Sequence, residues 1–267
     1  MLEPFSFKKI DHTDKALMEE SFRLRFQVYC KECGFIKEKD YPNGIETDEY
    51  DDQSVHFAAL SADGDLTGTL RMILPGKLPL PIVKYYPDLF KNTDTSKNDF
   101  VEISRLVISK NVRRRKNDQL YYEPQIDDQV MGDGKEHFIR RAKPMAFGIY
   151  RELYRESKSL GINQWYTIME KSLYLLLRIH GFKFECIGPE IDFFGPVNPY
   201  VGRIDAIEHE VKEKFEKFYQ YFTEKYKAEQ EESNQMPPQS TEQEKLGTKN
   251  PNSETHIKNQ NKNDPSI

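Results

Sequence analysis

Apolar and polar positions follow two different periods along this chain, and the changes of period divide it into strands and helices. Short apolar runs at 55–62 and 66–74 flank Asp63-Gly64, which predicts a β-hairpin. Apolar residues spaced three or four apart among charges predict helices over 14–33 and 144–160. These segments together predict a chain that contains both strands and helices.

The same analysis extends to the remaining elements. Strands are predicted at 100–109, 164–169 and 182–187, a helix at 173–180 ends before Gly181, and a short first strand is expected near 5–9. Residues 75–98 contain four prolines and are predicted to be irregular. After the first strand the order is αβββαβαβ, without an internal repeat. This order predicts an α/β fold with one mixed central sheet flanked by helices.

Aromatic residues end at position 226, which indicates where the folded part ends. An apolar stripe at helical spacing predicts an amphipathic C-terminal helix over 205–226 packed on a domain over 1–204. Residues 227–267 contain few apolar side chains among Glu, Gln, Asn, Lys, Ser and Pro. Such a segment cannot offset the entropy cost of folding, so we predict a disordered polar tail.

Composition narrows the classes of function. The 39 Lys and Arg against 44 Asp and Glu give a net charge of −5, which disfavours a general nucleic-acid binder. No apolar run approaches the ~18 residues of a membrane span, and the N-terminus lacks the layout of a signal peptide. Three cysteines do not form a disulfide framework. We expect a cytoplasmic protein without an integral membrane segment.

An acidic block at 46–52 contains five carboxylates in seven residues. The spacing fails the EF-hand pattern, since a central glycine and a glutamate at position twelve are missing, so no metal site is predicted. Arg25 on the preceding helix and Arg71 on a following strand suggest ion pairs that fix a pocket wall and leave one or two charges for a polar substrate. A solvated acidic loop is the alternative interpretation.

A second block places charge inside an apolar strand. Alternation over 100–108 predicts Glu102, Ser104 and Leu106 on one face, and Val101, Ile103, Arg105 and Val107 on the other. A glutamate and an arginine are costly in such a strand unless they are paired or functional. Glu102 is therefore either half of a structural ion pair or a general base with a raised pKa.

Together these blocks resemble a known family. The matching residues are Arg25, Tyr29 and Phe35; Glu46-x-Asp48-x-x-Asp51; Arg71; Glu102-x-Ser104-Arg105; and the stretch 166–182. In this order they resemble the autoinducer synthases, which make acyl-homoserine lactones and belong to the GNAT-like acyltransferase superfamily. In length and detail the chain is more similar to acyltransferases associated with PEP-CTERM/exosortase systems, alongside N-acyl amino acid synthases. Tyr29 and Phe35 replace the Phe and Trp of the autoinducer synthases, and 117–140 is longer, so the acceptor need not be S-adenosylmethionine.

The resemblance implies a GNAT-like acyl-CoA N-acyltransferase fold over 1–204 and transfer of a fatty acyl group from a thioester to an amine. It implies Glu102 as base, with Ser104 and Arg105 beside it in the catalytic strand. The residues implied in acceptor binding are Arg25, Tyr29, Phe35, Asp48, Asp51 and Arg71. Backbone amides at a bulge near 106–108, at Val107 and Ile108, would bind the donor thioester.

The residues after this strand bear on the donor. Coenzyme A users of the superfamily have a glycine-rich turn here, whereas 109–116 contains no glycine and carries five positive charges, Arg113, Arg114 and Arg115 among them. A basic patch suits acyl carrier protein, which is acidic. A basic loop without a partner is the alternative. No tightly bound cofactor is expected; acyl-phosphopantetheine on the carrier, or acyl-CoA, is the co-substrate.

Three functions follow from these expectations. The first is an N-acyltransferase that moves a fatty acyl group from acyl carrier protein to an amino acid or related small amine. The second is an acyl-homoserine-lactone synthase that uses S-adenosylmethionine. The third is a non-catalytic acyl-binding module.

Overall fold

The computed structural model describes residues 5–91, 99–110 and 145–223. The strands within these ranges are β1 Phe5–Lys9, β2 Ser54–Ser61, β3 Leu66–Ile73, β4 Phe100–Ile108, β5 Gln164–Glu170, β6 Phe184–Cys186, β7 Ile191–Asp192 and β8 Pro196–Arg203. The helices are α1 Lys15–Phe26, which continues as a π-helical segment Gln27–Glu32, α2 Pro81–Tyr85, α3 Met145–Ser159, α4 Lys171–Ile179 and α5 Ile204–Lys214. Residues 216–223 are helical as well.

All of these strands form one sheet in the order β1-β2-β3-β4-β5-β8-β6, with β7 paired to β8. Neighbouring strands run antiparallel except β4 and β5, which run parallel. A parallel pair needs a long crossover, and α3 lies in the connection between these two strands. The predicted mixed sheet flanked by helices is confirmed.

The two faces of the sheet bury different clusters. On one face α3 packs over β1, β2 and β3, and the apolar residues of β4 that point there, Val101 and Ile103, join the main core with the fully buried Trp165. On the other face a smaller cluster around Ile82 and Phe100 seats α2. The side chain of Glu102 lies on this second face, so the candidate chemistry is separated from the main core by the sheet itself.

Two irregularities of β4 open the sheet at its centre. Pairing with β5 ends at Ile103 opposite Thr167, although β4 continues to Ile108 and β5 to Glu170. No described strand pairs with the β5-facing edge of 104–108. On its other side β4 has one more residue than β3 between two paired positions, since Arg71 pairs with Ser104 and Thr69 with Val107. This extra residue is a β-bulge.

The bulge corrects the predicted alternation along β4. Arg105 has a φ of 54°, and its side chain binds Asp48, which also binds Arg71 opposite Ser104. Arg105 therefore lies on the face of Glu102 and Ser104, not on that of Val101. Leu106, predicted to share the Glu102 face, packs against the main core instead. The bulge lies at 105–106, slightly before the predicted 106–108.

The remaining differences from the predictions lie in three segments. Within 75–98, predicted to be irregular, α2 and a 3₁₀ turn, Pro87–Phe90, are present. Strand β8 was not predicted, because its prolines disfavour a strand. The predicted helix 205–226 is interrupted at Phe215, whose φ of −145° and ψ of 61° are not helical, before residues 216–223 pack Phe222 against α3. The predictions for 113–115, 117–140 and 227–267 lie outside the described residues.

Candidate active site

The acidic block and three arginines form one ion-pair network on the Glu102 face of the sheet. Asp51 lies at its centre, where Arg25 of α1 donates two hydrogen bonds to it, at 2.7 and 3.1 Å, and Arg71 of β3 donates a third at 2.8 Å. The backbone N–H of Asp48 also donates to Asp51, at 2.9 Å, which turns the loop back on itself. A carboxylate with this many donors fixes the position of the helix, the loop and the strand relative to one another.

Asp48 and Glu46 extend the network toward the bulge. Arg71 binds Asp48 through both terminal nitrogens and donates from Nε to the Ser104 hydroxyl at 3.0 Å. Arg105 donates to Asp48 at 2.9 Å and to Glu46 at 2.9 and 3.1 Å. Glu46 also accepts from Arg25 Nε, so it joins the first arginine to the last. Ser104 thus positions an arginine, whereas Glu102 accepts its hydrogen bond from Ile82.

The network balances three positive against three negative charges. Burial alone would raise the pKa of Asp51, but the hydrogen bonds and charges of Arg25 and Arg71 outweigh it and hold that pKa well below its usual range. Burial opposes the charge of Arg105, whose pKa is nevertheless raised by Glu46, Tyr29 and Asp48. Asp51 and Arg105 therefore stay ionised at neutral pH. Arg71 and Arg105 both bind the acidic loop, Arg71 through Asp48 and Asp51 and Arg105 through Glu46 and Asp48.

His56 of β2 adjoins the network without adding charge. Its ring meets Phe22 edge-on at 5.6 Å, and its Nε2 lies 3.5 Å from the Asp51 carbonyl oxygen. Burial is the main reason that its pKa is lowered, to about 4. The imidazole is neutral at pH 7 and packs beside Asp51.

Glu102 stands apart from the ion pairs. Its side chain is almost fully buried, with 3% exposed, and Oε2 accepts a 2.7 Å hydrogen bond from the Ile82 backbone N–H at the start of α2. Burial raises the pKa of Glu102 to about 8, against the opposing effects of the Ile82 hydrogen bond and the charges of Arg71 and Arg105. A carboxyl group with such a pKa is divided between its two protonation states near neutral pH, which suits a general base.

The point at which β4 and β5 stop pairing lies beside Glu102. Ile103 is the last residue of β4 paired with β5, and the following bulge turns the backbone at Arg105. Beyond it, Val107 is buried opposite Thr69, and Ile108 joins the main core. Backbone N–H groups at a bulge next to an unpaired edge are suited to stabilising an oxyanion.

Aromatic side chains border the network on its exposed side. The Arg105 guanidinium lies 5.6 Å from the centre of the Tyr29 ring, which stacks on Phe35 at 6.3 Å. Burial is the largest cause of the raised pKa of Tyr29. Since the Arg105 side chain is 26% exposed, it connects the buried ion pairs to the aromatic surface.

The structure brings most of the sequence-predicted residues together. Those found in or against the network are Arg25, Tyr29, Phe35, Asp48, Asp51, Arg71, Ser104 and Arg105, with Glu102 on the same face. Glu46 was named in the acidic block and in the resemblance but was given no role of its own, although it binds Arg25 and Arg105. The Ile82 N–H was missed, since the sequence carries no signal for it. In the residues that the structure describes, no set of His, Cys, Asp and Glu is arranged to hold a metal ion.

Comparisons with known proteins agree with this architecture. Residues 24–123 match the family model of the Acetyltransferase (GNAT) domain. The structure is similar to that of the AHL synthase LasI, with a TM-score of 0.51 and 17% identity over 78% of this chain and 95% of that one. It is also similar to BjaI, a CoA-dependent acyl-homoserine lactone synthase solved with MTA (TM-score 0.53, 20% identity, 78% and 89% covered).

A third similarity is to FeeM, an N-acyl amino acid synthase from uncultured soil microbes, with a TM-score of 0.54 and 10% identity over 77% of this chain and 94% of that one. The protein therefore has a GNAT-like acetyltransferase fold. Across the described ranges, no helix is long and apolar enough to cross a bilayer.

Proposed function

We propose that this protein is an N-acyltransferase that moves a fatty acyl group from the thioester of acyl carrier protein to the amine of an amino acid or a related small molecule. The observation that carries the proposal is Glu102: a buried carboxyl group with a pKa of about 8, next to the point where β4 and β5 separate. The family match and the similarity to three acyl-transferring synthases support an acyltransferase. A cytoplasmic location and the link to exosortase systems stay predictions from the sequence.

The proposed chemistry assigns one proton transfer to Glu102. Its carboxylate takes a proton from the acceptor ammonium, and the freed nitrogen lone pair attacks the thioester carbonyl carbon. The C–N bond forms, the oxyanion is stabilised by backbone N–H groups at Val107 and Ile108, and the C–S bond then breaks. The thiolate leaves and takes up a proton as the nitrogen loses its second one, which gives an amide and a free thiol.

The ion-pair network has a positioning part in this proposal. Arg25 and Arg71 are fully buried and bound to carboxylates, so they hold the acidic loop against β4 instead of contacting substrate. Asp48 and Arg105 are the partly exposed members, and their charges both act on Glu102. We assign them to orienting the acceptor, with the Asp48 carboxylate suited to an ammonium group.

The acyl carrier protein is proposed from the charge of the segment after β4. Reversing Arg113, Arg114 and Arg115 to glutamate is expected to raise the KM for an acyl-carrier donor about tenfold or more, because an acidic carrier loses its electrostatic attraction. Steady-state kinetics at several salt concentrations measure this, and the wild type should show the steeper salt dependence.

An acyl-pantetheine donor is the matched control, since it has the same thioester without the carrier's acidic surface. Its KM should be the same for both proteins. An equal rise of KM with both donors would mean that the substitutions damage the site itself. No rise of KM with either donor would contradict the proposed binding of acyl carrier protein by this segment.

Two alternatives predict different products. A synthase that uses S-adenosylmethionine would release methylthioadenosine together with an acyl-homoserine lactone; the fold shared with LasI and BjaI favours it. A non-catalytic acyl-binding module would form no product, and Glu102→Gln would leave its ligand affinity intact.

Mass spectrometry of lipid extracts separates these functions. Cells that express the wild type are expected to accumulate an N-acyl amino acid that is absent with Glu102→Gln, and its mass gives both the chain length and the acceptor. An acyl-homoserine lactone in its place would replace the proposed acceptor by S-adenosylmethionine. Identical extracts from both strains, repeated with purified carrier-linked donors, would contradict the proposal.

A further inference from the structure

A short 3₁₀ turn, Asp51–Gln53, connects the ion-pair network to the loop that follows β3. Asp51 at the start of the turn is the centre of that network. Gln53 at its end binds the loop: its amide nitrogen donates to the carbonyl oxygens of Leu74 and Leu78, each at 3.1 Å, and its amide oxygen accepts from the Leu78 N–H at 3.1 Å. Both backbone polar groups of Leu78 are therefore paired with one side chain.

The loop that Gln53 binds continues directly into the helix above Glu102. Four residues after Leu78, the Ile82 N–H at the start of α2 donates to Glu102 at 2.7 Å. Leu80 and Ile82 are buried in the smaller cluster, whereas the two residues before Leu78 are exposed. Apolar packing has no preferred direction, while a hydrogen bond needs its N–H aligned with the acceptor. The direction of the Ile82 N–H therefore depends on how the chain enters α2.

The sequence of this entry gives it few backbone donors. Three of the seven residues at 75–81 are prolines, which carry no N–H and disfavour helical geometry in the residue before them. The Leu74 N–H pairs with the backbone carbonyl oxygen of Gln53 at 3.0 Å, where β2 and β3 end. Beyond that pair the Gln53 side chain takes over, and its amide binds Leu78 as a neighbouring strand would.

We propose that Gln53 is a positioning residue for Glu102: its amide fixes the loop so that the Ile82 N–H stays on the Glu102 carboxylate. The proposal rests on the proposed function, in which Glu102 is the base. An N–H that donates to a carboxylate favours the charged form, so this hydrogen bond lowers the pKa of Glu102 against the larger effect of burial. Gln53 thereby increases the fraction of Glu102 that can accept a proton near neutral pH.

Other titratable groups adjoin Glu102 or act on it, and the test leaves them in place. They are Arg71 of β3, Arg105 of β4, Asp48 and Tyr50 of the acidic block, Tyr85 of α2, and Tyr166, which lies opposite Glu102 on β5. Because the Gln53 amide bonds to backbone groups of the loop, replacing it changes none of these side chains.

Gln53→Met tests the proposal, because methionine has a similar length but carries no amide. The loop should lose three hydrogen bonds while α2 stays packed on the smaller cluster, so Glu102 stays buried and its hydrogen bond weakens. NMR titration of the Glu102 carboxyl carbon, assigned with Glu102→Gln, should give a midpoint about half a pH unit or more above the wild type. At pH 7, kcat/KM should be about threefold lower, and it should approach the wild type above about pH 10.

Two further variants complete the test. Gln220→Met is the matched control, since Gln220 is exposed and lies in 216–223, which pack against α3 on the opposite face of the sheet. Its midpoint and pH profile should match the wild type. Gln53→Asn keeps the amide on a side chain one methylene shorter, so its midpoint should rise as well, and it provides the test if Gln53→Met does not fold.

An unchanged Glu102 midpoint in the Gln53 variants overturns the proposal, even where the melting temperature falls. A residue with a merely structural part would change stability without moving the titration of Glu102. A lower midpoint also overturns the proposal, because it would mean that water reaches Glu102 and that Gln53 maintains its burial instead of its hydrogen bond.

The NMR titration needs no substrate, so it separates this inference from the proposed function. If the wild type transfers no acyl group to any amine while the midpoint rises in Gln53→Met, the proposed function fails and the positioning of Glu102 stands. If transfer depends on Glu102 while the midpoint and the pH profile of Gln53→Met equal those of the wild type, the positioning by Gln53 fails and the proposed function stands.

Discussion

Replacing Glu102 with glutamine is expected to lower kcat by about 10²- to 10⁴-fold, the usual contribution of a positioned general base, while the fold is retained. Glutamine keeps an oxygen that can accept the Ile82 N–H, so only the proton-accepting function is lost. Single-turnover measurements of acyl transfer check this at saturating donor. Glu49→Gln is the control, because Glu49 is an exposed carboxylate of the acidic block, and its kcat should stay near that of the wild type.

The pKa of Glu102 gives the same prediction a pH dependence. Because the pKa is raised to about 8, the carboxylate needed for proton abstraction forms as pH rises, so wild-type kcat/KM should increase up to about pH 8 and then level off. Two acceptors with different amine pKa values separate the enzyme's titration from that of the substrate. An increase that follows only the acceptor's pKa, or a Glu102→Gln variant with the wild-type rate, would contradict the assignment.

Stability should change in the opposite direction. A carboxyl group with a raised pKa in the folded state favours folding when it is protonated, so this contribution is complete below the unfolded pKa of about 4.5 and is lost as pH rises through about 8. Glu102→Gln does not titrate. As pH rises between these two values, the wild type should lose stability and Glu102→Gln should not. The free energy of unfolding of the variant should therefore rise relative to that of the wild type by several kcal/mol, at about 1.4 kcal/mol for each unit of pKa difference.

Asp51→Asn is expected to be the most destabilising single substitution in the ion-pair network. It leaves Arg25 and Arg71 buried with one negative charge fewer, and breaking a buried ion pair from one side costs about 3–5 kcal/mol. For a domain of this size that corresponds to a fall in melting temperature of about 10 °C. Asp52→Asn is the control, because Asp52 is exposed and adjacent, and its stability should match the wild type.

The sign of the pH effect follows from the lowered pKa of Asp51. Its contribution to stability is present above the unfolded pKa of about 3.8 and is lost only as pH falls through the lower folded value. The difference between Asp51→Asn and the wild type should therefore be largest near pH 7 and narrow in strong acid. Denaturant unfolding at pH 7 and in strong acid measures this difference. A difference in unfolding free energy below about 1 kcal/mol at pH 7 would mean that Asp51 does not stabilise the fold through its ion pairs with the buried arginines.

The fold was predictable from the sequence because its strands carry regular local signals. The hairpin at Asp63-Gly64 and the first strand agree with β1, β2 and β3 to within a residue or two. Strand β8 was not predicted from the sequence because Pro196 and Pro199 disfavour a paired strand. Its place between β5 and β6 depends on tertiary contacts. The break at Phe215 interrupts an apolar stripe that continues at helical spacing on both sides, so periodicity carried no sign of it.

The candidate site was predictable to the level of residue type. Arginines and carboxylates concentrated in neighbouring elements indicate ion pairs, and the resemblance to autoinducer synthases indicated which ones. Strict alternation assigned Arg105 to the wrong face, because a bulge adds one residue and reverses every side chain that follows. The position of Phe194 beside Phe35 could not be predicted, since a contact between a turn and a distant loop leaves no local pattern.

The central claim is tested most directly with the purified 267-residue chain, acyl carrier protein loaded with a fatty acyl group, and a mixture of small amines. Mass spectrometry follows the acyl mass on the carrier and in the small-molecule fraction, and hydroxylamine treatment distinguishes an amide, which survives, from an ester or thioester. We predict that the acyl group leaves the carrier only when an amine is present and reappears as a hydroxylamine-resistant amide. Acyl binding without any amine-dependent transfer, from the carrier or from coenzyme A, would contradict the account.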